Sequence, residues 1–289
     1  MRIAVWANTA KREFWDLLPD LMSWLETHGQ SVFLTERIVG MLGDRGDYSY
    51  SVIRSADDFL KADFVLAMGG DGTILSAARA VGHRQTPILG VHLGGFGFLA
   101  EGGVGNLYGR LQSVIDGGYV IFSRMVLEAE IRPGETKPFF ALNDVVIDRG
   151  ESYRLMRCSL STNGRLITSY SADGLIISTP TGSTAYNLAA GGPIVAPWLS
   201  LFTVTPICPH TLSARPIVLP AQDDLVITFP DTESDLRLAV DGQTEVRLSR
   251  SHSLVVRRAS HDVKMITFED RDYFRTLRSK MGWGQTRQG

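Results

Sequence analysis

The chain has 289 residues, of which 44% are hydrophobic and 21% are charged, and its formal net charge is −2. This is the composition of an ordinary globular protein, long enough for two modest domains or one large one. The weak charge argues against a nucleic-acid partner, because binding to a phosphate backbone needs a concentrated basic surface. The sequence shows neither the apolar run of a membrane-spanning helix nor the apolar core of a signal peptide. We therefore expect no membrane partner and a cytoplasmic location.

Both cysteines, Cys158 and Cys208, lie within apolar stretches of the sequence. Thiols stay reduced in the cytoplasm, and free cysteine is among the residue types that are most often buried. We therefore expect two buried free thiols.

The N-terminal part of the sequence shows patterns that are typical of alternating strands and helices. A β-rich run at 2–7 predicts the first strand. Residues 11–28 place apolar side chains three and four positions apart, which predicts a helix with one apolar face that ends at Gly29. A second strand is predicted at 31–36. Residues 38–57 are polar and lack a clear period, so we expect a long surface loop there.

Two continuous apolar runs follow, at 62–68 and 87–93, as expected for strands that are buried on both faces of a parallel sheet. The first run ends in the glycine-rich segment 69–73, and a helical pattern begins at Ile74. This alternation of strand and helix predicts an α/β, Rossmann-like domain over residues 1–122.

After residue 122 the sequence changes to short β-branched runs that are separated by turn residues. Runs at this spacing without helices between them predict an all-β, sandwich-like domain over residues 123–269. Asn163-Gly164 is the strongest hairpin signal in the chain, and residues 184–190 are an exception with a helical pattern. The predicted strands are 125–131, 140–148, 158–162, 165–171, 174–180, 201–207, 224–229, 236–240 and 253–258.

The end of the sequence predicts one more helix, from Asp270 to Met281, which ends at Gly282. We expect this terminal segment, residues 270–289, to pack back on the first domain.

Common phosphate-binding signatures are absent: the P-loop, a G-x-G-x-x-G after a strand, and the H-R-D and D-F-G of protein kinases. The chain instead has GGDGT at 69–73. Glycines let a backbone turn sharply and approach a ligand, and N–H groups that lead into a helix form an anion site. In such a turn Asp71 can bind the Mg²⁺ that accompanies ATP or accept a proton from an attacking hydroxyl. The alternative is a plain tight turn with a capping aspartate.

Two further segments combine polar residues with predicted strands. Asn143 and Asp144 interrupt an apolar run, which is costly unless they are paired; we expect one on each face of the sheet, or else a strand end. Residues 171–193 contain a buried strand followed by a turn rich in hydroxyls and glycine that opens a helix, a second candidate phosphate cradle. Tyr186 either stacks on a base or fills the core, and core packing is favoured. Two anion sites fit a reaction between two phosphate-bearing molecules.

These motifs occur in the order and approximate spacing of one family. They resemble those of the NAD kinases over nearly the whole chain: GGDGT (69–73), LGGFGFLAE (93–101), LND (142–144), DGLIISTPTGSTAY (173–186), AGGPI (190–194), PHTLSARPIVLP (209–220) and DGQ (241–243). GGDGT alone is shared with phosphofructokinases and with diacylglycerol and sphingosine kinases, whereas STPTGSTAY with AGGPI is highly specific. Phe96 replaces the leucine that is more usual in the family, and Ser171 stands where some members carry a basic residue.

The resemblance implies an enzyme that phosphorylates the 2′-hydroxyl of the adenosine ribose of NAD with ATP, or with polyphosphate, to make NADP. Asp71 is the implied catalytic residue, which accepts the proton of that hydroxyl. The implied NAD-binding residues are Asp71, Gly72, Asn143, Asp144, Arg154, Ser171, Asp173, Thr184, Ala185, Tyr186, Asn187, Leu188, Ala189 and Gln243. The implied donor-phosphate residues are Gly69, Gly70, Gly72 and Thr73. Mg²⁺ is expected to arrive with the donor, with Asp71 as the protein group that can contact it, and the family implies a homodimer or homotetramer.

Two other functions stay open on sequence grounds. A lipid kinase with the same GGDGT turn is disfavoured, because the chain lacks an exposed apolar stretch and carries the adenosine-pocket motif. A regulator that binds the dinucleotide without turnover is disfavoured by the intact Asp71. His83, His92 and His210 match no metal-ligand spacing. The sequence decides neither between ATP and polyphosphate nor between NAD and NADH.

Overall fold

The computed structural model of the protein describes residues 1–95, 97–134, 137–230, 232 and 235–283. Phe96 and residues 284–289 of the predicted terminal segment therefore lie outside the described residues. The chain forms two compact units: unit 1 contains Met1–Phe122 and Lys264–Gly289, and unit 2 contains Ser123–Val263. Within the described ranges, no helix has both the length and the apolar character that crossing a membrane requires.

The regular elements are numbered in chain order. The helices are α1 (Arg12–Thr27), α2 (Glu36–Leu42), α3 (Asp71–Val81), α4 (Leu107–Ile115), α5 (Tyr186–Ala189) and α6 (Tyr273–Met281), with 3₁₀ turns at Ala56–Lys61, Gly82–Arg84, Val104–Asn106 and Gly182–Thr184. The strands are β1 (Arg2–Ala7), β2 (Ser31–Thr35), β3 (Ser51–Ile53), β4 (Phe64–Gly69), β5 (Ile88–His92), β6 (Gly102–Gly103), β7 (Val120–Arg124), β8 (Leu127–Arg132), β9 (Phe139–Ala141), β10 (Asp144–Asp148), β11 (Met156–Thr162), β12 (Arg165–Ala172), β13 (Gly174–Ser178), β14 (Leu201–Ile207), β15 (Ile217–Pro220), β16 (Leu225–Thr228), β17 (Leu236–Val240), β18 (Thr244–Leu248), β19 (Ser253–Arg258) and β20 (Val263–Thr267).

Unit 1 is built around one sheet with the strand order β3-β2-β1-β4-β5-β20-β7, and β6 also pairs with β5. The strands from β3 to β20 run parallel. Every residue of β4 is buried, as its continuous apolar sequence predicts. The chain moves from β1 outward to β3 and then returns to the other side of β1 at β4. In open parallel sheets, ligands bind outside the carboxyl ends of the strands at such a reversal.

The helices of unit 1 follow the apolar periodicity of the sequence. α1 buries Phe14, Leu18 and Leu21 on one face. α6 begins after Asp272, whose carboxylate accepts the Phe274 N–H at 2.8 Å, and it ends at Gly282 in a left-handed conformation. α6 belongs to unit 1 and Leu277 is buried, so the predicted packing of the terminal helix on the first domain is confirmed.

The predicted surface loop at 38–57 is wrong, because this segment contains most of α2 and all of β3. Ile38 and Leu42 of α2 are buried one turn apart, too few apolar positions to show a period in the sequence. α3 also begins earlier than predicted, at Asp71 instead of Ile74. The GGDGT segment therefore lies partly inside the helix.

Unit 2 consists of two six-stranded antiparallel sheets, with the orders β15-β14-β13-β10-β17-β18 and β12-β11-β16-β19-β8-β9. Apolar side chains from both sheets form one core cluster, which confirms the predicted sandwich. Asn163 and Gly164 connect β11 to β12 and both have positive φ angles, 49° and 72°, as a tight hairpin turn requires.

Three sequence expectations fail in unit 2. Cys158 is buried, but Cys208 is exposed in a left-handed conformation at the end of β14, so the prediction of two buried thiols is wrong for Cys208. The predicted strand 140–148 is broken at Leu142 and Asn143. The predicted helix at 184–190 is reduced to a 3₁₀ turn and the four residues of α5. The structure also assigns residues 264–269, which the pattern grouped with the β-rich domain, to unit 1.

Candidate functional site

The glycine-rich turn, Gly69–Thr73, joins the carboxyl end of β4 directly to α3. A Cβ on Gly69 would lie 2.1 Å from the Thr73 hydroxyl oxygen, so only glycine lets this side chain fold over the strand end. The Thr73 N–H donates to the Gly70 carbonyl oxygen at 2.9 Å, which closes the first turn of the helix. Gly70 is half-buried and Gly72 is exposed. The turn thus places backbone at the sheet edge where ligands bind, and phosphate contact by these residues stays a prediction.

Asp71 is held in one orientation by the loop that follows β5. Its two carboxylate oxygens accept the N–H groups of Phe98, at 2.8 Å, and Leu99, at 3.1 Å. A Cβ on Gly97 would lie 2.0 Å from Asp71 Oδ1, so the loop approaches the carboxylate as closely as a glycine allows. The negative charge also lies in the first turn of α3, where the helix dipole favours it. Asp71 is therefore a fixed, half-buried carboxylate at the carboxyl edge of the sheet.

Lys11 was not predicted as a site residue, although it lies near the same edge. It follows the carboxyl end of β1, the strand next to β4. Its amine donates to the Leu93 carbonyl oxygen at 2.5 Å, and the Leu93 N–H donates to the Gly69 carbonyl oxygen at 3.0 Å. A single lysine after a short strand carries no motif, so only the fold reveals its place beside the glycine-rich turn.

In unit 2, Asn143 and Asp144 lie at a break between β9 and β10. Of the two interpretations offered by the sequence, the strand end is confirmed and the placement of both residues within one strand is wrong: Asn143 precedes the strand, and Asp144 is its first residue. Asn143 is half-buried, whereas Asp144 is only 5% exposed. Burial, and to a smaller extent the nearby charge of Asp241, raises the pKa of Asp144 to about 7.

The segment of Leu142, Asn143 and Asp144, here called the 142–144 segment, is held on one side by the residues after β13. The Thr179 hydroxyl donates to the Leu142 carbonyl oxygen at 2.6 Å, and the Thr179 N–H donates to the Asn143 carbonyl oxygen at 2.9 Å. A Cβ on Gly182 would lie 2.2 Å from that same Asn143 oxygen. The TPTG part of the motif therefore supports the 142–144 segment.

Asp241 holds the other side of the 142–144 segment and was not predicted as a site residue. Its carboxylate accepts the N–H groups of Leu142 at 2.9 Å, Asn143 at 2.7 Å and Asp144 at 3.1 Å. In return, the Asp241 N–H donates to the Asp144 carbonyl oxygen at 2.9 Å. The DGQ motif was a sequence signal for this residue, but not for its contacts.

In the hydroxyl- and glycine-rich turn, which the sequence suggested as a second phosphate cradle, the Ser183 and Asn187 side chains are bonded within the fold, and a phosphate contact stays a prediction. The Ser183 hydroxyl donates to the Pro180 carbonyl oxygen at 2.7 Å and accepts the Val195 N–H at 3.0 Å, and α5 is too short to present a helix N-terminus. Asn187 is fully buried: its amide nitrogen donates to two carbonyl oxygens, and its amide oxygen accepts the hydroxyls of Thr203 and Thr205. These polar groups stabilise the fold, because a buried group without a partner is costly.

Tyr186 is 47% exposed, so the interpretation that it fills the core is wrong and its ring is accessible to a ligand. Asp173 forms an ion pair with Arg149 at 3.0 Å, and Ser171 is half-buried on β12. The remaining NAD-binding candidates of unit 2 are exposed or half-buried; they are Arg154, Thr184, Ala185, Leu188, Ala189 and Gln243. Their contact with NAD stays a prediction.

Among the described residues, no three histidine, cysteine, aspartate or glutamate side chains lie together as a metal site would require. Mg²⁺ commonly binds through one or two carboxylates together with substrate phosphates. The single carboxylate of Asp71 fits an ion of that kind, which takes most of its ligands from the donor and water.

Comparison with known proteins gives two family matches that together span most of the chain. The ATP-NAD kinase N-terminal domain matches residues 3–119, and the ATP-NAD kinase C-terminal domain matches residues 142–268. The NAD kinase of Geobacter sulfurreducens is 40% identical over 98% of this chain and 99% of its own. The NAD kinase of Moorella thermoacetica is 37% identical over 99% of this chain and 91% of its own.

Two solved structures have the same fold. Yeast NADH kinase, crystallised with NADH, aligns with a TM-score of 0.92 at 24% identity, over 99% of this chain and 89% of that one. An NAD kinase from Archaeoglobus fulgidus in complex with ATP aligns with a TM-score of 0.76 at 21% identity, over 98% of this chain and 99% of that one. With both family domains matched and relatives of about 40% identity along the full chain, this protein belongs to the NAD kinase family.

Proposed function

We propose that this protein transfers the terminal phosphoryl group of ATP to the 2′-hydroxyl of the adenosine ribose of NAD, which yields NADP and ADP. Membership of the NAD kinase family supports the reaction. The observation that supports the catalytic assignment is the Asp71 carboxylate, which two backbone N–H groups hold at the carboxyl edge of the sheet.

In this proposal Asp71 is the general base. A ribose hydroxyl is a weak nucleophile at neutral pH, and a positioned carboxylate that takes its proton strengthens it. The new bond joins the ribose oxygen to the terminal phosphorus, the bond from that phosphorus to the bridging oxygen of ATP breaks, and ADP leaves. Because phosphoryl transfer needs little covalent chemistry from the protein, orientation of the two substrates is the main contribution of the other residues.

The proposal assigns the donor phosphates to unit 1 and the NAD groups to unit 2. In unit 1, Gly69, Gly70, Gly72 and Thr73 would hold the donor phosphates, and the Lys11 amine adds positive charge near the same sheet edge. In unit 2, the Asn143 and Asp144 side chains would bind ribose hydroxyls, and the exposed Tyr186 ring offers a face for an adenine base.

Three features of the proposal, the metal ion, the oligomeric state and the location, stay predictions. Mg²⁺ would neutralise charge on the donor phosphates, with Asp71 as the protein carboxylate near it. A homodimer or homotetramer and a cytoplasmic location stay predictions. Polyphosphate as donor and NADH as acceptor are alternatives that the same assay distinguishes.

The test is NADP formation by the purified protein with Mg²⁺, NAD and ATP, read with an NADP-specific dehydrogenase. Asp71→Asn is expected to lower turnover by about 10²–10⁴-fold, the usual contribution of general-base catalysis. Asp16→Asn is the matched control, because Asp16 is an exposed carboxylate on a helix of the same unit. No product from NAD or NADH with either ATP or polyphosphate would contradict the function, and normal turnover of Asp71→Asn would contradict the role of the base.

A further inference from the structure

The backbone of the 142–144 segment is bonded from two sides by residues that are distant in sequence. Its carbonyl oxygens accept hydrogen bonds from Thr179 and, at Asp144, from the Asp241 N–H. Its three N–H groups all donate to the carboxylate of Asp241. Because the backbone groups are occupied, the side chains of Asn143 and Asp144 are the polar groups that this segment offers to a ligand.

Asp241 has a conformation that suits this contact. It follows β17 and has a φ angle of 51°, which is uncommon for a residue other than glycine. The turn places its half-buried carboxylate beneath three consecutive N–H groups. An ionised carboxylate accepts all of them, whereas an asparagine would direct its own NH₂ group at one of these donors. The charge of Asp241 is therefore part of the contact.

We propose that Asp241 is a positioning residue of the NAD site, which fixes Asn143 and Asp144 in their binding orientation through the backbone of the 142–144 segment. The inference rests on the proposed binding of NAD by these two side chains. Asp241 acts through the segment and needs no contact of its own with the dinucleotide.

The charge of Asp241 has a second effect, on the ionisation of Asp144. Burial is the main cause of the raised pKa of Asp144, and the like charge of Asp241 adds to it. The elements packed against β10 are β8, β13 and β17. β13 has no charged residue, and the charged groups of the other two form ion pairs of their own: Arg237 with Asp148, Glu128 and Glu130 with Arg257, and Arg132 with Glu130. Among the described residues, Asp241 is thus the charge that acts on Asp144.

Two variants separate position from charge. Asp241→Asn removes the charge and one of the two acceptor oxygens, while Asp241→Glu keeps the charge but moves the carboxylate by one methylene. Asp235→Asn is the matched control, because Asp235 and Asp241 flank the two ends of β17. At ~3.3 Å per residue, Asp235 lies about 20 Å from Asp241 along the strand. Asp235 is exposed and pairs with Arg247.

The first measurement is independent of NAD: hydrogen exchange of the Leu142, Asn143 and Asp144 amides by NMR, on the full chain. In both Asp241 variants these amides are expected to exchange at least about tenfold faster than in Asp235→Asn, the effect of losing a hydrogen bond to a charged group. Unchanged exchange would overturn the inference even in a protein that binds no NAD. The proposed function fails separately, if the wild-type protein forms no NADP.

The second measurement is NAD affinity by calorimetry between about pH 5 and 9, which brackets the raised pKa of Asp144, about 7. Both variants are expected to bind NAD about 10–100-fold more weakly. The NAD affinity of the wild-type protein is expected to rise with pH as Asp144 ionises. The midpoint of this rise is expected to move to lower pH in Asp241→Asn and to stay in place in Asp241→Glu. An NAD affinity equal to that of the wild type in both Asp241 variants would overturn the inference. The same midpoint of the pH dependence in the wild type, both Asp241 variants and Asp235→Asn would also overturn it.

Discussion

Gly97→Ala tests whether the orientation of Asp71 matters for turnover. A Cβ at this position would lie 2.0 Å from Asp71 Oδ1, whereas Cβ contacts under 3.0 Å are essentially never found. The carboxylate must therefore move by about 1 Å, which also disturbs its bonds to the Phe98 and Leu99 N–H groups. A displacement of that size at a reacting group can cost about 10²-fold in rate. We expect kcat to fall about 100-fold, or ~2.7 kcal/mol in activation free energy.

Gly95→Ala is the matched control, since no atom lies within 4 Å of a Cβ at Gly95 in the same loop. The assay is the steady-state formation of NADP with saturating ATP and NAD, and thermal unfolding shows that both variants are folded. A Gly97→Ala enzyme with the kcat of Gly95→Ala would refute the reasoning, because the methyl group would then be accommodated without disturbing catalysis.

Three further results are expected. Gly182→Ala should lower the melting temperature by several degrees and weaken NAD binding, because its Cβ would lie 2.2 Å from the Asn143 carbonyl oxygen; unchanged calorimetric scans would contradict this. A maleimide should label Cys208 in the folded protein and Cys158 only after unfolding, because burial raises the pKa of the Cys158 thiol to about 12; mass spectrometry of digested protein distinguishes the two. Asp144→Asn should stabilise the protein by at most about 4 kcal/mol near pH 8 and less near pH 5. The pKa of Asp144 is raised from 3.8 to about 7, so the folded state holds a proton that the unfolded state releases between these values, and stability falls as the pH rises through that window. Equal effects in urea titrations at both pH values would refute it.

The fold was predictable wherever one strong local pattern decided an element. The unbroken apolar run of β4 and the apolar face of α1 fixed the α/β character of unit 1. α2 and β3 were missed because each is short and buries few side chains, so their stability comes from contacts across the sheet. Cys208 was misjudged because neighbouring apolar residues do not reveal where a strand ends.

The site was predictable at the level of motifs but not of contacts. The sequence indicated Asp71 and the 142–144 segment as chemically important. It did not show that Phe98 and Leu99 orient Asp71, or that Asp241 bonds to a segment 98 residues away. Such pairs depend on how distant strands meet, and a single sequence carries no periodic signal for them. The motif 171–193 was also given a phosphate-binding role, although its buried hydroxyls support the fold.

The position of β20 has a consequence for how the chain matures during synthesis. β20 lies between β5 and β7, with Met265 beside Ile88, yet its residues follow nearly all of unit 2 in the sequence. At roughly 5–20 residues per second, a ribosome needs on the order of 7 to 28 seconds to make those ~140 intervening residues. Over that interval the edge of β5 at Ile88 lacks its partner strand β20, and an unpaired strand edge can pair with other chains. Until β20 has been synthesised, the nascent chain therefore depends on slow aggregation or on protection by chaperones.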